Sequence, residues 1–375
     1  MRTLRVGLLG LGTVGQAVVQ LNQPFAGHEF MFTRALVQNP DRPRTVDVPV
    51  TVDAAEILND PAIDIVVEAA GGRQPAREWI RASLENGKAV VTANKEVMAY
   101  HGRELLEISQ TAHSFLGFEA SVAGGIPVLD AVRYHLSAAP IDTVYGVVNG
   151  TTNYLLTAMA DGQAFEDALA AAKQAGYAES DPSADIRGWD AQRKLVILIA
   201  LTFGVWSDPD QLLVEGLESW PPSLFERLAV AGWTLRLVAL AGRSPDGTIH
   251  AQVRPTAVPL RHPLGRLTGP QNGVGFSGPA GNFWLEGPGA GGLATATSVW
   301  ADVRRSVTRR TVNVPLPLGE TVAGLPAVDL SVLAVSQDPD RRIAGARPLN
   351  PEGSIGLIAN PGTIEGVWQF PVFGQ

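Results

Sequence analysis

The sequence predicts a two-part α/β protein, with a doubly wound parallel sheet first and a mixed α+β region after it. Three observations predict this. An apolar run, Leu4–Leu9, leads through a glycine-rich turn into an amphipathic stretch. Strand and helix signals then alternate through residues 1–125, the rhythm of βαβ units. Near Ile126 the texture changes to Ala-rich helical stretches and separate strands.

In order, Leu4–Leu9 reads as a strand and Thr13–Leu21 as the helix after it. Phe30–Val37 is the second strand. A short helix, Ala54–Leu58, precedes the third strand, Ile63–Ala69. Ala76–Glu85 is helical, Ala89–Thr92 is a fourth strand and Phe115–Glu119 a fifth. Residues 127–136 and 153–175 read as helical. Asp185–Gly204 contains a long helix that must be buried, because Leu195–Gly204 is apolar on all sides. Thr234–Leu240, His250–Arg254 and Val274–Phe276 read as strands, and Ser298–Ser306 as one more helix. The expected domains are 1–125, 126–305 and a Pro- and Gly-rich tail, 306–375.

Bulk properties exclude several classes. A chain of 375 residues is long enough for two domains with their own cores. The net charge of −8 argues against a polyanion partner, so nucleic acid is not expected. There is no cysteine, which removes disulfides, thiolate–metal sites and thiol nucleophiles. No apolar run reaches the ~20 residues of a membrane helix. The N-terminal apolar run reads better as a strand than as a signal peptide. A cytoplasmic protein with no membrane partner is the expectation.

Gly10-Leu11-Gly12-Thr13-Val14-Gly15 is a GxGxxG between a strand and a helix, which is the context this motif requires. Gly10 permits the tight turn, Gly12 lets the backbone approach a pyrophosphate, and Gly15 lets helix and strand pack closely. The helix start offers N–H groups and a positive dipole end. The first domain is therefore read as a Rossmann-type, NAD(P)-binding domain. The second strand ends in Val37-Gln38-Asn39 and lacks the acid that binds a ribose 2′-hydroxyl. With Arg42 and Arg44 nearby, the reading favours NADP over NAD.

Lys95 follows the fourth strand, at the sheet edge that faces the ligand crevice. It reads equally as a site lysine or as an exposed surface lysine. Residues 119–127 form a polar, glycine-rich crossing: a hinge between domains, or an oxygen-lined site for a hard cation. On the residues alone the hinge is preferred. Asn149–Asn153 leads into a helix; a plain cap is the simpler reading, and carboxylate binding at its N–H groups is the other.

Residues 176–194 crowd Glu179, Asp181, Asp185 and Asp190 ahead of the apolar helix. Asp190 and Lys194 are four apart and share a helical face. On an open surface such a pair contributes only tenths of a kcal/mol. Here the helix continues into a core, where charges are expensive unless used. Carboxylates there can bind an ammonium group, and the lysine can exchange a proton with a hydroxyl or carbonyl oxygen.

Together these stretches resemble homoserine dehydrogenase: GLLGLGTVG, VVTANKEVMA, FEASVAGGIP, VVNGTTNYLL, GYAESDPSADIRGWDAQRK and GPGAGGLATATSVWAD, in family order. The resemblance implies reversible oxidation of L-homoserine to L-aspartate 4-semialdehyde with NAD(P), on the route to threonine and methionine. It makes Lys194 the general acid/base, assisted by Lys95. Glu179 and Asp190 hold substrate polar groups with support from Asp185, alongside Gly150 and Thr151. Gly10, Gly12, Thr13, Val14 and Gly15 line the dinucleotide, and the Gly287–Gly291 loop, with Gly289, closes on the nicotinamide side. It also implies a structural sodium ion on Glu119 and the carbonyls of Val122, Gly124 and Ile126, and a homodimer. Residues 306–375 show no convincing βαββαβ pattern of a regulatory ACT domain. Two rivals stand beside this reading. One is another NAD(P)-dependent dehydrogenase acting on an amino acid; the other is a nucleotide sensor without turnover. Phosphorylating semialdehyde dehydrogenases are excluded because they need a cysteine.

Overall fold

The computed structural model describes residues 1–308, 321–322, 325, 331–350, 353–358 and 364–373, so part of the expected tail, 306–375, lies outside the described residues. Two compact units are present. One comprises Met1–Pro140, Val196–Pro209 and Gly287–Ala323; the other comprises Ile141–Leu195, Asp210–Glu286 and Gly324–Gln375.

The first unit begins β1 (Arg2–Leu9), α1 (Thr13–Gln20), β2 (His28–Leu36), β3 (Val50–Thr51), α2 (Ala55–Leu58) and β4 (Ile65–Glu68). It continues α3 (Ala76–Glu85), β5 (Ala89–Thr92), α4 (Lys95–Thr111) and β6 (Leu116–Gly117). The six strands form a parallel sheet in the order β3-β2-β1-β4-β5-β6. This is the doubly wound α/β order, and it reverses direction between β1 and β4. β4 is buried at every residue, as a strand covered on both faces must be. α4 is set by Asn94, whose side chain accepts from the N–H groups of Glu96 and Val97. Val97, Met98, Leu105 and Leu106 are among the residues it buries. After α5 (Val128–Asp130) the backbone widens into a π turn, Ala131–His135, and then a 3-10 turn, Leu136–Ala138. The helix expected over 127–136 is therefore irregular.

The second unit carries β7 (Thr143–Val147), α6 (Gly150–Ala160), α7 (Phe165–Gln174), α8 (Ser183–Ile186) and the start of α9 (Trp189–Phe203). The single stretch expected over 153–175 is two helices, because Gly162 turns the chain at φ +92° and Ala164 is extended. After β8 (Trp206–Ser207) come β9 (Leu213–Val214), α10 (Pro222–Val230), β10 (Trp233–Arg243), β11 (Ile249–Pro259), α11 (Pro263–Arg266), β12 (Gln271–Gly278) and β13 (Gly281–Pro288). The mixed sheet runs β13-β12-β7-β10-β11-β9. β10 pairs antiparallel with β7 and β11, while β9 adds in parallel to β11.

α12 (Gly292–Thr308) returns to the first unit. Its buried Ala296, Val299, Trp300 and Val303 lie at helical spacing and join the core of Leu4, Val6, Leu8 and Val18. The Trp300 indole donates to the Val18 carbonyl at 2.8 Å and meets Phe30 edge-on at 5.0 Å. β14 (Thr321–Val322) pairs with β8. Among the described residues of the tail, β15 (Val332–Ser336), β16 (Arg347–Pro348), β17 (Ile355–Ile358) and β18 (Val367–Pro371) form an antiparallel sheet in the order β16-β17-β15-β18. The chain beyond β18 lies beside β11, where the Phe373 N–H donates to Ala257 O at 3.0 Å. No described helix is long and apolar enough to cross a membrane.

Candidate active site

In the second unit, the acid-rich segment and the start of α6 meet in one hydrogen-bond network. α9 begins at Trp189, so Asp190 sits in its first turn and Lys194 one turn later. Both are buried, at 4% and 8% exposure. The Lys194 ammonium donates to Asp190 Oδ2 at 2.7 Å and to the Val148 carbonyl at 2.6 Å. Asn149 is the N-cap of α6; its Oδ1 accepts from the Thr152 N–H at 2.8 Å. The other end of the same amide donates to both acids, reaching Asp185 Oδ1 at 2.7 Å and Asp190 Oδ2 at 2.8 Å. Burial first, then the adjacent Asp190 charge, push the Asp185 carboxyl up; hydrogen bonds from Asn149 and Thr151 and the charge of Lys194 oppose them.

The sequence reading thus finds Lys194, Asp190 and Asp185 together. Gly150 opens α6, and its Cα faces the Pro270 carbonyl closely enough that a Cβ would lie 2.9 Å from that oxygen. The Thr151 hydroxyl donates to the Tyr177 carbonyl at 2.6 Å. Glu179 is exposed and stands outside this network. On the sequence alone nothing singles out the Val148 carbonyl, and Asn149 reads most simply as a cap. Its available signal was that a capping Asn still has two amide donors to place.

In the first unit, three glycine-rich stretches far apart in sequence converge. Gly10 has φ +104°, and a Cβ there would lie 2.8 Å from the backbone of Ala69 and Ala70. Gly15 approaches the Gly10 carbonyl so closely that a side chain would overlap it. Gly12 caps α1 without a side chain and has open space where a Cβ would point. Gly12 and Thr13 are exposed and Val14 half-buried. This cradle fits a phosphate group on the start of a helix. Gly124, at φ +55°, approaches the Gly289–Ala290 peptide, and the Gly125 N–H donates to Pro288 O at 3.1 Å. Gly292, after the same loop, lies against Thr13. The loop Gly287–Gly291 is thereby placed with the dinucleotide turn.

Of the two arginines beyond β2, Arg44 folds its own loop. It donates to the carbonyls of Asn39, Pro40 and Arg42 at 2.6, 2.9 and 2.7 Å. Arg42 is exposed. Lys95 is the first residue of α4, half-buried, directly after the Asn94 cap.

Glu119 is buried, with Oε1 accepting from the Leu129 N–H at 3.0 Å and Oε2 lacking a hydrogen-bond partner. Burial, and next the Asp302 carboxylate, push its carboxyl up to about 8, against the pull of Arg133 and Arg305. Asp302, fully buried, accepts from the Glu119 N–H at 2.7 Å and pairs with Arg305 at 2.9 Å. Burial pushes Asp302 up to about 6. A buried carboxylate oxygen without a partner suits either a proton or a cation. The left-handed turn at Ala123–Gly124 follows directly in the chain. No group of three or more His, Asp or Glu among the described residues is arranged to hold a metal, so a cation here would draw on backbone oxygens.

Comparison with known proteins identifies the family. The family model for the NAD-binding domain of homoserine dehydrogenase matches residues 10–119, and the model for homoserine dehydrogenase itself matches 127–303. Homoserine dehydrogenase of Bacillus subtilis is 38% identical over 316 residues, covering 81% of this chain and 72% of that protein. The crystal structure of a homoserine dehydrogenase from Thiobacillus denitrificans superposes with a TM-score of 0.82 at 35% identity, over 89% of this chain and 83% of that one. A hyperthermophilic archaeal homoserine dehydrogenase in complex with NADPH gives a TM-score of 0.67 at 25% identity, over 82% and 98% of the two chains. With the glycine cradle and the buried Lys194–Asp190 pair in place, the chain belongs to the homoserine dehydrogenase family of nicotinamide-dependent oxidoreductases.

Proposed function

We propose that the protein interconverts L-homoserine and L-aspartate 4-semialdehyde with NADP, in the aspartate-derived route to threonine and methionine. The observation that carries this reading is the Asn149-bridged set of Asp185, Asp190 and Lys194. Lys194 acts at the substrate C4 oxygen. As the neutral amine it takes the hydroxyl proton during oxidation; as the ammonium it returns a proton during reduction. Asp190 and the Val148 carbonyl fix its Nζ. Asp190 and Glu179 hold the substrate's polar groups with Asp185 in support, and Gly150 and Thr151 at the start of α6 help to hold them. Lys95 assists the same oxygen and contacts the cofactor.

The bound nicotinamide supplies the hydride acceptor or donor. Gly10, Gly12, Thr13, Val14 and Gly15 receive its pyrophosphate on α1, with Gly289 closing the loop beside them. Arg42 faces the 2′-phosphate, since Arg44 is committed to carbonyls. Glu119 and the carbonyls of Val122, Gly124 and Ile126 would hold a structural sodium ion; the partnerless Oε2 supports this reading. Residues 1–125 bind the cofactor, while 126–305 supply catalysis and the interface of a cytoplasmic homodimer, which light scattering tests.

The direct experiment follows absorbance in the nicotinamide band with L-homoserine and either NAD⁺ or NADP⁺. Homoserine-dependent reduction, faster with NADP⁺, is expected. Dinucleotide binding without reduction by either cofactor sinks the proposal.

A further inference from the structure

Glu68 plays no part in the scheme above, yet it ends a central strand of the parallel sheet. It ends β4 and pairs in register with Leu9 of β1 on one side and Thr92 of β5 on the other. The strand order reverses between β1 and β4, so Glu68 stands at the switch point where such sheets open their ligand crevice. The side chain is fully buried. Its Oε2 accepts the Thr92 hydroxyl at 2.5 Å. Its Oε1 accepts the N–H groups of Ala70 and Gly71 at 2.9 and 3.2 Å and the Asn94 amide at 3.4 Å.

These bonds join two loops, and the Gly10 turn packs against one of them. Ala69 and Ala70 are the backbone against which Gly10 turns, and the Ala69 N–H donates to Leu9 O at 2.8 Å. Gly71 and Gly72 continue the β4–α3 loop, and the Asn94 amide also donates to Gly72 O at 2.8 Å. Thr92 Oγ1 in turn accepts the Asn94 N–H at 3.0 Å, and Asn94 caps the helix that starts with Lys95. As a device for stability this is expensive, since a buried carboxylate is strongly desolvated and burial holds its pKa up. As a device for geometry it is economical, because one side chain ties the start of the Lys95 helix to the loop against which the glycine turn packs.

We propose that Glu68 is a positioning residue for the redox reaction: it fixes the start of α4, and so Lys95, in register with the Gly10 turn. The proposal rests on the role given to Lys95 above. The test is a double-mutant cycle of Glu68→Ala and Lys95→Ala on kcat, with KM for the dinucleotide and Glu68→Gln as further readouts. Glu68→Ala is expected to lower kcat by about 100-fold, the scale of a misplaced catalytic group. Glu68→Gln keeps a carbonyl for the three N–H donors and should restore kcat to within about 5-fold of the parent. In the Lys95→Ala background the Glu68→Ala loss should shrink to within about 3-fold, because residues acting as a unit are not additive.

A purely structural Glu68 would lower the unfolding midpoint and leave losses that multiply in the double variant, which overturns the proposal. If Lys95→Ala alone keeps full turnover, the Lys95 reading falls and this one with it. If Lys95→Ala is impaired but the losses multiply, only the Glu68 proposal falls. Should Glu68→Ala not fold, Thr92→Val removes one donor; the same cycle applies, and an unchanged kcat overturns the proposal.

Discussion

Lys194 Nζ lies 2.7 Å from Asp190 Oδ2, one helical turn away on α9, and both side chains are buried. A charge pair in such a place is a poor stabiliser unless its geometry is used. Replacing Lys194 by Ala removes the group that moves the proton, but no part of the glycine cradle. Turnover is expected to fall by about 10²–10⁴-fold, the range for a general acid/base. Dinucleotide affinity, read by nicotinamide fluorescence, should stay within a few-fold. Near-parental turnover in this variant rules out the assignment.

Asn149 moderates a pH dependence that Asp185 gives the site. Its amide holds Asp185 and Asp190 side by side, and burial with that neighbouring charge keeps the Asp185 carboxyl above the usual carboxylate range. On the proposed reading, an ionised Asp185 supports the binding of the substrate ammonium. Activity should therefore be lost as pH falls through this raised pKa, earlier than for an ordinary aspartate. Asn149→Ala removes a bond that lowers the pKa, so the acid limb of kcat/KM should move to higher pH. The lost cap should also cost about 1 kcal/mol of stability in denaturant titration. An acid limb unchanged in the variant excludes Asp185 as the group that sets it.

Much of this was legible in the sequence, because its signals are local. α3 and β5 have the expected bounds, Ala76–Glu85 and Ala89–Thr92, and the pairing of Asp190 with Lys194 follows from a spacing of four. What escaped depends on distant partners. Asn149 finds its acids 36 and 41 residues on, and Glu119 meets Asp302 across 183 residues. The helical period of α4 is weak in the sequence because Gly102 and Ser109 share its buried face with Val97, Met98, Leu105 and Leu106, and the Asn94 cap that starts it is recognisable only once the strand end is known. The turns after α5 read as one helix over 127–136, because a π turn and a 3-10 turn leave the apolar spacing close to helical.

Trp300 ties the end of the first unit to its beginning. Its ring meets Phe30 and Phe32 edge-on in the core that α12 shares with β1 and α1, and its indole N–H is satisfied by Val18 O. Trp300→Ala leaves a large cavity and an unsatisfied carbonyl. The expected loss is about 3–5 kcal/mol, measured by urea unfolding with unchanged m-value. A loss under about 1 kcal/mol would show that α12 contributes little to this core.

The two arginines after β2 separate cofactor choice from loop order. Arg44 is spent on three carbonyls, leaving exposed Arg42 for a 2′-phosphate. Arg42→Ala should raise KM for NADP⁺ about 10-fold, the size of one charge-assisted contact, and leave KM for NAD⁺ unchanged. Arg44→Ala should raise both. Equal effects of Arg42→Ala on the two cofactors would remove it from the phosphate site.

Glu119 makes the sodium proposal testable through stability. Its carboxyl moves from an ordinary 4.5 to about 8, so the folded state prefers the protonated form. Below pH 4.5 both states hold the proton and its contribution is fully present. Between there and about 8 the unfolded state has released the proton and the folded state has not, so stability falls as pH rises. Asp302, pushed up to about 6, adds to the lower part of the same slope. A cation on the ionised Glu119 would replace the proton and return stability at alkaline pH. Melting temperatures at pH 5 and pH 9, in sodium or choline chloride of equal ionic strength, should differ most in choline. Glu119→Gln carries no charge to compensate. It should lose the sodium effect and keep only the shallower slope of Asp302. Melting curves for the parent protein that coincide in the two salts at pH 9 would leave the proton, not sodium, as the occupant of that oxygen.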